Sequence, residues 1–211
     1  CKSANDRNVS TSWGLYCSTF LSELIASLKL FPMRKVILGL AVSLDGFIEG
    51  PNGEYDWCFN DQDYGLSDFF KRIDTLFIGR KTYEMIQSMG EAAGSGFPKL
   101  KEYIFSTTLD NVKEGAILIK KSIKKEVEKI KKGKGKDIWL FGGAGLTTSL
   151  LNLEIVDEIS LAVHPILLGG GKPLFNDIDK RIDLKLVDTK TYATGLVSLT
   201  YRLEKKKFSV S

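Results

Sequence analysis

The chain has 211 residues, 43% hydrophobic and 27% charged, with 30 Lys+Arg against 26 Asp+Glu for a net charge of +4. This is a foldable globular composition, long enough to bury a sizeable core without covalent staples, and it excludes a disordered chain. The charge is too mild to argue for nucleic acid, and no run of about 18 uncharged apolar residues is present to span a membrane.

Residues 1–32 are rich in Ser, Thr and Asn and end at Pro32. Glu23 and Lys29 interrupt the apolar stretch from Trp13 to Phe31, which lacks the basic start and cleavage site of a signal peptide. Leu21, Leu24, Ile25 and Leu28 fall at helical spacing, predicting a short amphipathic helix. It is read either as a docking helix or as an extension packed on the surface, natural or added in cloning. Met33 is a candidate natural start, and a single domain is expected over 33–205.

From Met33 the pattern becomes regular. Lys35–Val42 is a near-continuous apolar run, as expected of a buried parallel strand. Further strands are predicted over Thr75–Gly79, Tyr103–Ser106, Ala116–Ile119, Asp137–Phe141 and Glu158–Val163. Leu184–Thr191 and Leu196–Leu203 flank Tyr-Ala-Thr-Gly and read as an antiparallel hairpin. Helices are predicted over Tyr64–Ile73, Lys81–Ser88, Ser122–Lys131 and Ala144–Leu153. Alternation of this kind implies an α/β domain of three layers: a mostly parallel central sheet, helices on both faces, and the antiparallel C-terminal hairpin at the sheet edge. The lysines between Lys120 and Lys136 lack interleaved aromatics and surround an ordinary helical stripe, so no nucleic-acid partner is expected.

Three glycine-containing turns follow strands, where open α/β sheets bind ligands. Gly79-Arg80-Lys81-Thr82 opens a helix, whose free N–H groups together with two cations and a hydroxyl suit phosphate. The same residues suit a plain helix cap. Gly142-Gly143-Ala144-Gly145 allows close backbone approach of a ligand, or merely a tight turn; it is neither a G-x-G-x-x-G fingerprint nor a P-loop. In Leu168–Phe175, three glycines precede Lys172, which suits an anionic substrate or only a connecting loop.

Asp45 in Ser43-Leu44-Asp45-Gly46 is a candidate substrate-orienting or proton-supplying acid, and equally a turn residue. Asp63, within the acids Glu54, Asp56, Asp61, Asp63 and Asp68, is the second candidate. His164 precedes Pro165 and reads as structural. Cys1, Cys17 and Cys58 lack paired spacing and there is no second histidine, so neither a disulfide framework nor a metal site is expected, and a reducing cytosolic compartment is. No G-x-S-x-G elbow supports a serine hydrolase.

In this order, LAVSLDGFI, the Trp57 region, DTLFIGRKTYE, YIFSTTL, IWLFGGAGLTTSLL, VDEISLAVHPILLGGGKPLF and the closing hairpin resemble the dihydrofolate-reductase-like superfamily. The likeness is strongest to the reductase domain of the bifunctional riboflavin-biosynthesis deaminase–reductase and its stand-alone relatives. It runs from about Met33 to Glu204. The resemblance implies an NADPH-dependent oxidoreductase that reduces a small pteridine- or pyrimidine-like heterocycle. A non-catalytic nucleotide-binding protein of the same fold is the alternative. It implies that Gly79, Arg80 and Thr82 hold the adenosine-side phosphates, and that Ser106, Thr107 and Thr108 lie beside the adenine ribose. Gly142, Gly143, Ala144, Gly145 and Leu146 would form the pyrophosphate turn, with a cis Gly142–Gly143 peptide. Ala41, Leu44 and Ile48 would contact the nicotinamide. Leu66 occupies the place of the acidic residue by which dihydrofolate reductases hold the pterin. Val42 and Ile86 occupy places where the riboflavin reductases have Lys and Asp. No H-x-E…P-C-x-x-C motif of the deaminase half occurs. Members of the superfamily often pair, so a homodimer is expected, with no membrane partner.

Overall fold

The computed structural model describes residues 33–90 and 96–204; the amphipathic helix expected within 1–32 lies outside them. The apolar runs form strands because each is flanked by neighbours that satisfy its backbone while its side chains enter the core on both faces. Strand β1 (Val36–Ser43) is the clearest case: Val36, Ile37 and Leu38 are fully buried. It pairs in parallel with β6 (Asp137–Gly142) on one side and β7 (Glu158–His164) on the other. β3 (Ile73–Gly79), β4 (Lys101–Phe105) and β5 (Ile117–Ile119) extend the parallel sheet beyond β6. β9 (Leu184–Thr191) and β10 (Val197–Leu203) form the expected antiparallel hairpin, and β10 joins β7 antiparallel. The eight-stranded order is β5-β4-β3-β6-β1-β7-β10-β9, with β9 exposed along its whole length at the edge.

Among the described residues, four helices cover the two faces. α1 (Leu66–Arg72) and α2 (Arg80–Ser88) lie with the cluster of Ile73, Leu76, Ile78, Tyr83, Ile104 and Trp139. α3 (Ile123–Lys132) and α4 (Ala144–Asn152) bring Val127, Leu146, Leu150 and Leu151 onto the opposite cluster, with Phe77, Ile138 and Leu140. Alternation along β3 and β6 sends neighbouring side chains to opposite faces, as the period of two requires. The three-layer α/β arrangement with an antiparallel edge is therefore as read from the sequence.

The differences are local. α1 begins at Leu66 rather than Tyr64, because Tyr64 (φ 48°) and Gly65 (φ 86°) turn the chain through left-handed backbone first. Ile73 leaves the helix to open β3. A second, two-stranded sheet was not expected: β2 (Phe47–Glu49) pairs antiparallel with β8 (Lys172–Pro173). No helix of the described residues is long and apolar enough to cross a membrane.

Candidate functional site

β4, β3 and β6 are consecutive in the sheet and parallel, so their carboxyl ends lie side by side. Each carries one of the turns singled out in the sequence. Gly79 ends β3 and Arg80, Lys81 and Thr82 open α2; Ser106, Thr107 and Thr108 follow β4; Gly142 ends β6 and Gly143 precedes α4. Their close packing depends on glycine. A Cβ on Gly79 would lie 3.3 Å from the Leu146 Cβ, and one on Gly143 would lie 3.0 Å from Thr82 Oγ1. The Gly142–Gly143 peptide is cis, and Gly142 has φ 111°.

The three turns enclose a cleft of about 410 Å³, lined by Gly79, Arg80, Thr82, Ser106, Thr107, Thr108, Gly143, Ala144, Gly145 and Leu146 among others. Arg80, Lys81, Lys120 and Lys172 also face it, and among the described residues no carboxylate lines it. Two helix N-termini, of α2 and α4, add unpaired N–H groups and positive dipole ends. Arg80 Nη1 lies 3.0 Å from Glu84, but both side chains are well exposed, so the guanidinium can exchange partners cheaply. Ser106 is buried. Its Oγ accepts from the backbone N–H of Thr108 (3.1 Å) and Leu109 (3.0 Å), so it shapes the turn that presents Thr107 and Thr108.

The cleft shares Thr82 and Gly143 with a second cavity of about 600 Å³. Leu40, Ala41, Ile48, Tyr55, Ile86, Phe97 and Phe141 give that cavity mainly apolar walls. The two hollows meet end to end: one basic and rimmed by helix N-termini, the other apolar. Such a pair offers a place for phosphate beside a place for an apolar ring. The glycines leave room for phosphate to approach backbone, and Gly145 has open space where a side chain would stand.

The remaining residues fall differently. Of the three residues expected beside the nicotinamide, Ala41 and Ile48 line the apolar cavity, whereas Leu44 stands 65% exposed in the turn after β1 and lines neither hollow. Asp45 lines neither cavity. Its carboxylate accepts the Ser43 hydroxyl (2.6 Å) and the N–H groups of Leu168 (3.2 Å) and Gly169 (2.8 Å). The Ser43 hydrogen bond, aided by those from the two backbone amides, holds its pKa below the ordinary carboxylate value. Asp63 likewise lines neither cavity; it accepts from the Ser67 hydroxyl (2.7 Å) and the N–H groups of Ser67 (2.9 Å) and Gly65 (3.1 Å), tying the start of α1. The Ser67 hydroxyl is the main cause of its lowered pKa. Both acids clamp backbone and are ionised near neutrality, and neither of these two candidate acids lines either hollow.

His164 is buried, its Nε2 accepting the Phe59 N–H at 3.1 Å and its Nδ1 lying 3.0 Å from the Ala162 carbonyl. Burial lowers its pKa, so the neutral ring donates from Nδ1 and fixes the loop before α1. Val42 is buried in β1 and Leu66 is exposed at the start of α1, while Ile86 lines the apolar cavity. Among the described residues, no group of three or more His, Cys, Asp or Glu is placed to hold a metal ion.

Glu49 escapes notice in the sequence. It ends β2, lines the apolar cavity, and pairs with Lys172 at 3.0 Å. No periodic signal in the sequence marks it, because β2 spans only three residues, Phe47–Glu49.

The RibD C-terminal domain family model matches residues 34–198. YyaP, an uncharacterized protein of Bacillus subtilis (strain 168), is 46% identical over 184 residues, spanning 80% of this chain and 94% of its own length. A crystal structure assigned to riboflavin biosynthesis in Shewanella sp. PV-4 aligns with a TM-score of 0.71 at 26% identity, covering 82% of this chain and 100% of that one. Dihydrofolate reductase from Enterococcus faecalis, complexed with NADP(H), shares the fold, with a TM-score of 0.60 at 19% identity over 81% of this chain and 97% of its own.

Proposed function

The chain belongs to the RibD C-terminal domain family, and on that premise we propose that it is an NADPH-dependent reductase of a small pteridine- or pyrimidine-like heterocycle. The observation that carries this reading is the junction at Thr82 and Gly143, where the basic cleft opens into the apolar cavity. When bound, NADPH supplies the hydride, and the protein's part is to place and shield the reacting groups.

That part divides among named residues. Arg80, Lys81 and Lys120 balance phosphate charge, and the first N–H groups of α2 and α4 donate to phosphate oxygens. The Thr82 hydroxyl stands where the two hollows meet. Gly143, with no side chain, keeps that passage open. Ala41 and Ile48 make an apolar wall that excludes water from the ring half, which strengthens every polar contact there. Orienting two reactants in this way supplies about 7–11 kcal/mol of barrier lowering.

Titration of the full chain with NADPH, followed by tryptophan fluorescence, tests the reading; saturation at micromolar to sub-millimolar concentration is expected. No binding in that range would sink it. The second reading, a nucleotide-binding protein without turnover, is favoured by one observation: Asp45 and Asp63 both stand outside the hollows. NADPH oxidation in the presence of pteridines and aminopyrimidines separates the two readings.

A further inference from the structure

The small sheet of β2 and β8 carries an ion pair at the meeting point of the two hollows. Glu49 Oε1 lies 3.0 Å from Lys172 Nζ, and the two residues are paired across the sheet. Each side chain is about one-third exposed, at 30% and 34%. Glu49 lines the apolar cavity with Ala41 and Ile48, while Lys172 lines the basic cleft with Arg80. Gly143 stands beside them, since a Cβ on it would lie 3.8 Å from Lys172 Nζ.

The pair is held in place from several sides. Gly171 has φ 129°, and a Cβ there would lie 2.1 Å from the Glu49 carbonyl oxygen, so β8 presses directly on β2. Asp45 anchors the loop before β8 through Leu168 and Gly169, and the Leu174 N–H donates to the Gly46 carbonyl at 2.9 Å.

Resting on the reductase reading of the cleft, we propose that Glu49 is the specificity-determining residue of the apolar cavity, that it recognises a planar heterocycle through adjacent N–H donors, and that Lys172 competes with the heterocycle for its carboxylate. A carboxylate only accepts hydrogen bonds, so it selects an edge that only donates. A protonated aminopyrimidine offers two parallel N–H groups and matches it bidentately. An edge that alternates N–H with carbonyl leaves an acceptor facing an acceptor, and that mismatch is costly in an apolar setting. The other charged side chains lining this cavity are Lys99, Glu102, Lys113 and Glu114, on β4 and its flanking loops; Glu102 and Lys113 pair with each other at 2.8 Å. Lys172 couples the hollows. Phosphate in the basic cleft competes with Glu49 for its charge, which frees the carboxylate for the heterocycle, so the two ligands favour each other's binding.

The test is calorimetric binding of 2,4-diaminopyrimidine and of uracil to the full chain, with and without saturating NADPH. Wild type, Glu49→Gln and Lys172→Met are compared. Wild type is expected to prefer 2,4-diaminopyrimidine and to bind it more tightly with NADPH present. Glu49→Gln should weaken that binding about tenfold or more and erase the preference, while changing NADPH affinity less than about threefold. Lys172→Met should weaken NADPH about tenfold yet tighten 2,4-diaminopyrimidine several-fold, opposite changes that loss of folding cannot produce. Wild-type protein that ignores 2,4-diaminopyrimidine, or a Glu49→Gln protein that binds it as well as wild type, overturns the assignment. If wild type binds no NADPH yet Glu49→Gln still loses 2,4-diaminopyrimidine, the reductase reading falls and the Glu49 assignment stands.

Discussion

The carboxylate of Asp45 gathers three hydrogen bonds from residues on either side of a long sequence gap, and those bonds decide its role. Its pKa lies below the ordinary value of 3.8, because the ionised form is the one the Ser43 hydroxyl and the loop amides favour. A depressed folded pKa contributes stability that is present above the ordinary value and lost as pH falls through the folded one. Asp45→Asn should therefore unfold at lower urea than wild type at pH 7, with the gap closing on acidification past pH 4. A gap that stays constant down to the acid limit would show that ionisation of Asp45 is irrelevant. Arg80 has the opposite character, an exposed cation on the rim of the basic cleft with one replaceable partner. Arg80→Ala should weaken NADPH about 10- to 100-fold, the loss of a charge-assisted contact, with little change in melting temperature. An unchanged dissociation constant would remove Arg80 from the phosphate site.

At the scale of elements, β2 and β8 are the weakest in sequence and among the most consequential in space. Gly171→Ala places a methyl group into the Glu49 carbonyl and forces a left-handed φ on an L-residue. A cost of about 2–3 kcal/mol is expected, together with lost binding of the ring half, measured by denaturant melts and ligand titration. Gly145→Ala meets open space and serves as the neutral comparison for the denaturant melts alone, since Gly145 lines the basic cleft. The long elements were legible because their physics is local. VILGLAVS and DIWLFG are apolar runs that only a central strand can bury, and α3 shows its buried stripe at Val127. The glycine turns were legible because a close backbone approach leaves no alternative residue. Strands of three and two residues are shorter than any period can reveal. Glu49 and Lys172 are 123 positions apart, so their pairing depends on where a loop lands, which local pattern does not encode. The same distance hid the true partners of Asp45, whose neighbours alone suited an acid in a turn and an acid in a site equally.

The described residues are organised around β1, an interior strand of the sheet that also lines the apolar cavity. Leu40 and Ala41, toward its carboxyl end, line the apolar cavity, while Val36, Ile37 and Leu38 lock its other end in the core. Stability and binding are therefore separable along one strand or its neighbour. Leu140→Ala on β6, at a fully buried position, should cost about 3–4 kcal/mol and lower the melting temperature by roughly 10 °C. NADPH affinity measured well below that melting temperature should move little; a parallel collapse of both would mean that the cleft has no rigidity apart from the core. The place of β1 also has a consequence during synthesis. Its partners come late: the Val36 N–H is satisfied by Asp157, 121 residues further on, and its neighbouring strand β7 follows directly. At about 5–20 residues per second, a ribosome leaves this apolar strand without its first mate, β6, for about 5–20 s. Over that interval the nascent chain displays a bare template for wrong pairing, well before a binding pocket exists.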